Sequence, residues 1–262
     1  MTTLFDMTLQ VARQVTDAVV EGTATSGSAT TLTDTNLTQA NGHFARGTLW
    51  IKSGTHQNKV VSVTSFAANV LTFPTLTTSI GTPRYAVLPE DPFQYGQIVG
   101  AINSALDDSR AWVLKEDATL TGDGETLEFT LPTGVYNVAK VKMHDLDEPT
   151  TRLTAAHWEE IDGKLRFDNG HAPIDGWVIH ILYKSRHAEL TVYSDVIDNS
   201  LNLEWLRWRA TEILLTWAMR RYQNRPDMRI EEFLNQAMKQ AQTLRPHREP
   251  LVIVKTANAR DW

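Results

Sequence analysis

The chain has 262 residues and carries 25 Lys and Arg against 31 Asp and Glu, a net charge of −6. Hydrophobic residues make up 42% and charged residues 21%, which leaves ample material for a core and excludes a wholly disordered chain. The acidic balance argues against wrapping nucleic acid, and the absence of cysteine excludes disulfides, thiol nucleophiles and thiolate metal sites.

At ~150 residues per domain the length corresponds to about two domains. Residues 3–21 read as a helix, with Leu4, Met7, Val11, Val15, Ala18 and Val19 on one face and Thr3 with Asp6 as a capping box. Residues 22–90 are rich in Thr and Ser, and Asp34 is the only acid between Gly22 and Pro89. Short β runs lie at 48–52, 59–63, 69–73 and 84–88, separated by Ser53-Gly54, Ala67-Ala68-Asn69 and Gly81-Thr82-Pro83. A small β-barrel or sandwich is the expectation. A Thr-rich linker is the rival, but it leaves Trp50, Val61, Val63, Phe66, Leu71 and Phe73 without a core.

A second helix is expected over 92–114, with Asp91 as N-cap, Pro92 at the first helical position and Trp112 on the apolar face. Gly96 and Gly100 lie four apart on one side. Either they admit a neighbouring helix, or the helix tolerates their cost of ~1 kcal/mol each. A second β region spans 117–193, with strand formers over 135–143 and an Asp162-Gly163 hairpin. Two more helices are expected over 201–223 and 228–244, broken at Asn224-Arg225-Pro226-Asp227. The tail, 246–262, has no helical period, but Leu251, Val252, Ile253 and Val254 form an apolar run and Trp262 ends the chain. Apolar residues in such a tail are expected to dock on a partner.

The start MTTLFDMTLQ has neither the basic residues nor the unbroken apolar core of a signal peptide. Apolar stretches such as 213–219 fall short of the ~20 residues of a membrane span, so no membrane is expected. The eight histidines show no metal-ligand spacing, and no phosphate loop, nucleophile elbow or dinucleotide fingerprint is present. The expectation is no enzyme, no cofactor and no metal. Arg207, Arg209, Arg220, Arg221, Arg225 and Arg229 gather around the third helix and its exit. They are either a solvated face or a protein interface in which guanidinium groups meet a neighbour's carboxylates.

The alternation of helix, Thr-rich β insertion, helix, second β insertion, two helices and tail resembles a head–tail connector (adaptor) protein of tailed bacteriophages. GTATSGSATTLTDT at 22–35, GTLWIKSG at 47–54 and VVSVTSFAANVLTFPTL at 60–76 add to the likeness. The resemblance implies a virion neck protein, made in the host bacterial cytoplasm, that forms a homo-oligomeric ring, commonly of twelve copies, below the portal. It implies the portal protein as one partner and a tail-side connector, terminator or nozzle as another, with DNA only in transit through the lumen.

The fold class expected is α+β: a four-helix bundle (1–21, 91–116 and 194–245) carrying two β modules (22–90 and 117–193), with an extended tail (246–262). Portal contacts are expected at Leu251, Val252, Ile253, Val254 and Trp262. Subunit contacts are expected at Gly96, Gly100, Arg207, Arg220, Arg221 and Arg225, so that residues 23–89 are dispensable for the ring. The alternative reading is a carbohydrate- or host-surface-binding module of a tail or adhesin, using aromatics such as Trp50, Trp158 and Trp177.

Overall fold

A computed structural model describes residues 1–91, 93–108, 111–147, 153–221 and 230–244. In chain order the elements are β1 (Thr2–Thr3), α1 (Leu4–Val15), β2 (Val20–Thr23), β3 (Ser26–Gly27), β4 (Thr31–Thr33), β5 (Thr48–Ile51), β6 (Lys59–Ser62), β7 (Ser65–Ala67), β8 (Val70–Thr72), β9 (Arg84–Leu88) and α2 (Tyr95–Leu106). There follow β10 (Trp112–Thr121), β11 (Glu128–Thr130), β12 (Asn137–His144), β13 (Leu153–Thr154), β14 (Trp158–Ile161), β15 (Lys164–Phe167) and β16 (Val178–Arg186). Then come β17 (Val196–Ile197), α3 (Leu203–Arg221) and α4 (Ile230–Thr243). The chain divides into two compact units: Met1–Ala111 with the return segment from Ala188 through α4, and Trp112–His187.

The Thr-rich region closes two antiparallel sheets, β2-β9-β5-β6 and β3-β4-β8-β7, on a core that includes Leu32, Phe44, Leu49, Phe66, Leu71 and Val87. Ala68 and Asn69, at φ 48° and 66°, turn β7 into β8 as a two-residue hairpin requires. Asp34 is buried, accepting the Tyr85 hydroxyl at 2.7 Å and the Asn36 N–H at 2.9 Å. Burial, and then this carboxylate, push the Tyr85 phenol well above the usual range.

The helices belong to the same unit. Thr3 and Asp6 form the expected capping box: the Thr3 N–H and O–H donate to Asp6 Oδ2 at 3.1 and 2.8 Å, and the Asp6 N–H returns to Thr3 Oγ1 at 3.3 Å. Such a cap contributes ~1 kcal/mol. Leu49 and Ile51 of β5 enter the β core, whereas Thr48 and Trp50 alternate to the opposite face and are also buried. There the Trp50 indole N–H donates to Thr8 Oγ1 on α1 at 3.2 Å, and its ring meets Tyr95 of α2 edge-on. Helix α3 packs against α1, α2 and α4. Asn103 of α2 holds the return segment by two bonds, Nδ2 to the Leu190 carbonyl at 2.9 Å and the Leu190 N–H to Oδ1 at 3.0 Å. No described helix is long and apolar enough to cross a membrane.

The expected α+β four-helix bundle is overturned. The described chain is β-rich, with seventeen strands in five sheets against four helices of 12 to 19 residues. Two expected helices end early because β-branched and aromatic residues pair as strands instead. Helix α1 stops at Val15, and Val20 pairs with Val87. Helix α2 stops at Leu106, and Trp112 opens β10 opposite Arg186. The N-cap of α2 is Gln94, whose N–H donates to Gln97 Oε1 at 2.9 Å, rather than Asp91; Pro92 lies outside the described residues. The apolar surface of α1 does not serve other helices alone, since it also receives the sheet through Trp50.

The second unit closes a four-stranded sheet, β10-β16-β12-β13, on a three-stranded one, β11-β15-β14. Ile179, Ile181, Tyr183 and Val141 of the first meet Leu165 and Phe167 of the second in one core. Asp162 and Gly163, at φ 49° and 73°, make the expected hairpin between β14 and β15.

Candidate protein interface

Gly96 and Gly100 sit on one side of α2 in different surroundings. A Cβ at Gly96 meets nothing within 4 Å, whereas one at Gly100 lies 3.8 Å from the indole of Trp217 on α3. Gly100 therefore admits a side chain of its own chain, and Gly96 remains open. Trp217 is 40% exposed, and its helical neighbours Arg220 and Arg221 are exposed as well. Together these residues make a surface strip of glycine, tryptophan and arginine across α2 and α3. Tryptophan and arginine are enriched among residues that dominate binding energy.

The other arginines part company with this strip. Arg209 is engaged by Asp108 at 3.2 Å and Glu212 at 2.7 Å. Arg207 is half-buried: its Nη2 lies 3.8 Å from Glu204, and its Nε is buried with no hydrogen-bond partner. Arg225 and Arg229 lie outside the described residues, as do Leu251, Val252, Ile253, Val254 and Trp262.

Beside Gly96 a cleft of about 400 Å³ runs between the start of α2 and strands β5 and β6, lined by Arg46, Val60, Glu90, Gln94, Tyr95 and Gly96. Arg46 Nε and Glu90 Oε2 pair at 3.0 Å, and Gln94 Nε2 donates to Glu90 Oε1 at 2.9 Å. The buried Tyr95 hydroxyl has no hydrogen-bond partner. Its pKa is pushed up to about 12, first by burial and then by the charges of Asp195 and Tyr193, so the phenol stays protonated at neutral pH. The cleft thus presents a paired cation and anion, while the Tyr95 hydroxyl itself is buried.

Two of the histidines meet beside a glutamate in a way that spacing did not reveal. In the second unit Glu116 Oε1 lies 2.7 Å from His180 Nδ1, and His180 Nε2 lies 2.8 Å from His144 Nδ1. Both rings are buried, and each contact joins a donor to an acceptor if the imidazoles are neutral. Among the described residues no group of three or more His, Asp or Glu is arranged to hold a metal ion. Each histidine sits on a different strand, so no local pattern could bring them together; only the pairing of Lys142 with His180 aligns β12 and β16 to do so.

Trp217 is the residue of this strip whose exposure helical periodicity does not foretell. At helical spacing Leu206, Ala210, Leu214 and Trp217 share one face, yet the first three are buried and Trp217 is exposed, and Trp205, Thr211 and Leu215 are buried as well. Apolar side chains lie almost all round α3, so no single face stands out in its sequence. Trp50, an aromatic of the surface-binding alternative, is wholly buried, and Trp158 and Trp177 are half-buried. Compared with known proteins, the chain matches no family model, and no curated protein matches it.

Proposed function

We propose that the chain is a structural protein of a tailed-phage neck that assembles with copies of itself into a ring below the portal. The observation that carries this reading is the strip formed by Gly96, Gly100, Trp217, Arg220 and Arg221. The open surface at Gly96, one turn from Gly100 and the partly exposed Trp217 indole packed there, leaves a hollow and a ridge that a neighbouring subunit can fill. The portal contact is assigned to the tail residues Leu251 to Val254 and Trp262. The ring joins a tail-side connector, terminator or nozzle below and lets DNA pass through its lumen.

The test is electron microscopy of the purified chain with and without its portal protein. Rings, or rings seated on portal, are expected; dispersed monomers in both samples overturn the proposal. Gly96→Arg sharpens the test, because Gly96 is exposed and a Cβ there meets nothing within 4 Å. Gly96 lies in the first turn of α2, where relief of the glycine cost offsets the unfavourable placing of a cation at a helix N-terminus. The variant should melt no lower than the wild type and yet lose ring contacts. Normal rings from it remove this strip from the interface.

A further inference from the structure

The four-stranded sheet of the second unit has an outer face that its core does not use. Along β16, Ile179, Ile181 and Tyr183 point into the core, so His180, Leu182, Lys184 and Arg186 point away. Register extends this outer face to the neighbouring strands. Trp112 lies opposite Arg186, Leu114 opposite Lys184, Lys140 opposite Leu182 and Lys142 opposite His180.

Two properties of the face occur together. Two of its apolar groups are exposed, Tyr136 at 65% and Leu114 at 48%, and Trp112 and Leu182 are half-buried. Tyr136 stacks on Trp112 with ring centroids 4.0 Å apart, and the Arg186 guanidinium lies 5.6 Å from the same indole. The face is also basic. Lys140, Lys142, Lys184 and Arg186 stand against Glu116, whose carboxylate is turned to His180. Among the described residues none of the three lysines has an ion-pair partner. An aromatic centre rimmed by cations has the composition of a protein-binding surface.

The same unit supplies the complementary charge. Thr121, Val178 and His144 lie side by side at one end of the sheet. The chain just beyond these strand ends carries Asp123, Glu125, Asp145, Asp147 and Asp175. The unit is thus basic and aromatic on one face and acidic at one end, two surfaces that a single copy does not bring together along its strands. Surfaces that differ in this way match head to tail, and a head-to-tail contact closes into a ring when its rotation allows.

We infer that the outer face of the β10-β16-β12-β13 sheet docks the acidic strand ends of a second copy of this chain. The contact is separate from the α2–α3 strip; only its closing into a ring rests on the proposed function.

The test is charge reversal in the full chain, with self-association followed by sedimentation velocity. Lys140→Glu with Lys184→Glu reverses the face, and Glu125→Lys with Asp147→Lys reverses the acidic end. Each pair alone should weaken self-association ~10-fold or more. Mixing the two variants restores complementary charge at both alternating contacts, so the mixture should recover wild-type association. Tyr136→Ser, at an exposed ring, should weaken association while lowering the melting temperature no more than Trp112→Ala does.

Unchanged association in either reversed variant, or no recovery on mixing, overturns the inference, as does a wild type that stays monomeric at its highest soluble concentration. A fluorescein-labelled oligothymidylate that binds wild type and not the Lys140→Glu/Lys184→Glu variant, with association unaffected, also overturns it and assigns the face to nucleic acid. The two proposals fail separately. Charge-swap recovery in solution with no rings on portal from the wild type sinks the ring reading alone, whereas rings on portal that ignore charge reversal sink this contact alone.

Discussion

The two β regions are built to the same plan and end in different roles. Each enters and leaves on neighbouring antiparallel strands, Val20 opposite Val87 in the first and Trp112 opposite Arg186 in the second. Each closes two sheets on an apolar core. The difference lies on the outward face. In the first region Thr48, Trp50, Ala86 and Leu88 occupy that face and all are buried, and Trp50 is bonded to α1. In the second the corresponding face carries Lys140, Lys184 and Arg186. A sheet that is apolar on both sides becomes an inner layer of its unit, whereas an alternating one keeps a face for water or a partner. The first region is therefore part of the helical unit, and the second is a unit of its own.

The largest expected effect comes from removing each region in turn. Deleting 23–89 strips Trp50, Ala86 and Leu88 from the interior, so the helices should lose cooperative melting. That reverses the expectation that this region is dispensable. Excising 112–187 and joining Ala111 to Ala188 with a short Gly-Ser linker should leave the first unit folded. The linker is short because the paired strand ends lie only ~5 Å apart. Circular dichroism melts decide the matter: native-like melting of the 23–89 deletion would show that the two regions are equally separable.

Single tryptophans sharpen the same comparison. Trp50→Ala should cost ~3–5 kcal/mol, the range for emptying a fully buried aromatic site. Trp112→Ala should cost ~1 kcal/mol or less, since Trp112 is half-buried and loses mainly its stacking with Tyr136. Urea unfolding measures both. Equal costs would mean that the outer face of the second sheet is as integral to folding as that of the first.

Much of this difference is legible in the chain. The β runs at 48–52, 59–63, 69–73 and 84–88 contain β5, β6, β8 and β9, because turn residues bracket them tightly. The four buried residues of β5 left no polar face, which is the mark of a sheet covered on both sides. Lys140-x-Lys142 and Lys184-x-Arg186 carried the period of two that marks the open face of the second sheet. Helix ends were harder. Trp112 and Leu114 fit a helical stripe by spacing, and only pairing with β16 makes them strand. The bundle expectation failed for a related reason: apolar stripes announce burial but do not say whether a helix or a sheet supplies the cover.

The smallest expected effect is electrostatic, and it again separates the regions. Glu21 on β2 accepts Arg13 Nε at 2.6 Å and Lys52 Nζ at 2.5 Å, tying the last turn of α1 to the sheet. Burial raises its pKa, but the hydrogen bonds from Lys52 and Arg13 outweigh this and hold the carboxyl below the usual glutamate range. A folded-state pKa below the unfolded one adds stability above the unfolded value and loses it as pH falls through the folded value. Glu21→Gln should therefore be less stable than wild type at pH 7, and the gap should close once acid protonates Glu21 in both states. In the second unit Glu128 is held low by Lys164 at 3.0 Å, first through the hydrogen bond and then through its charge, at fully exposed positions. Glu128→Gln should change stability less, and in about 0.5 M NaCl hardly at all, because exposed pairs are screened. Melting temperatures of the two variants across pH and salt check this. A Glu21→Gln deficit that persists at pH 2 would assign its effect to packing rather than to charge.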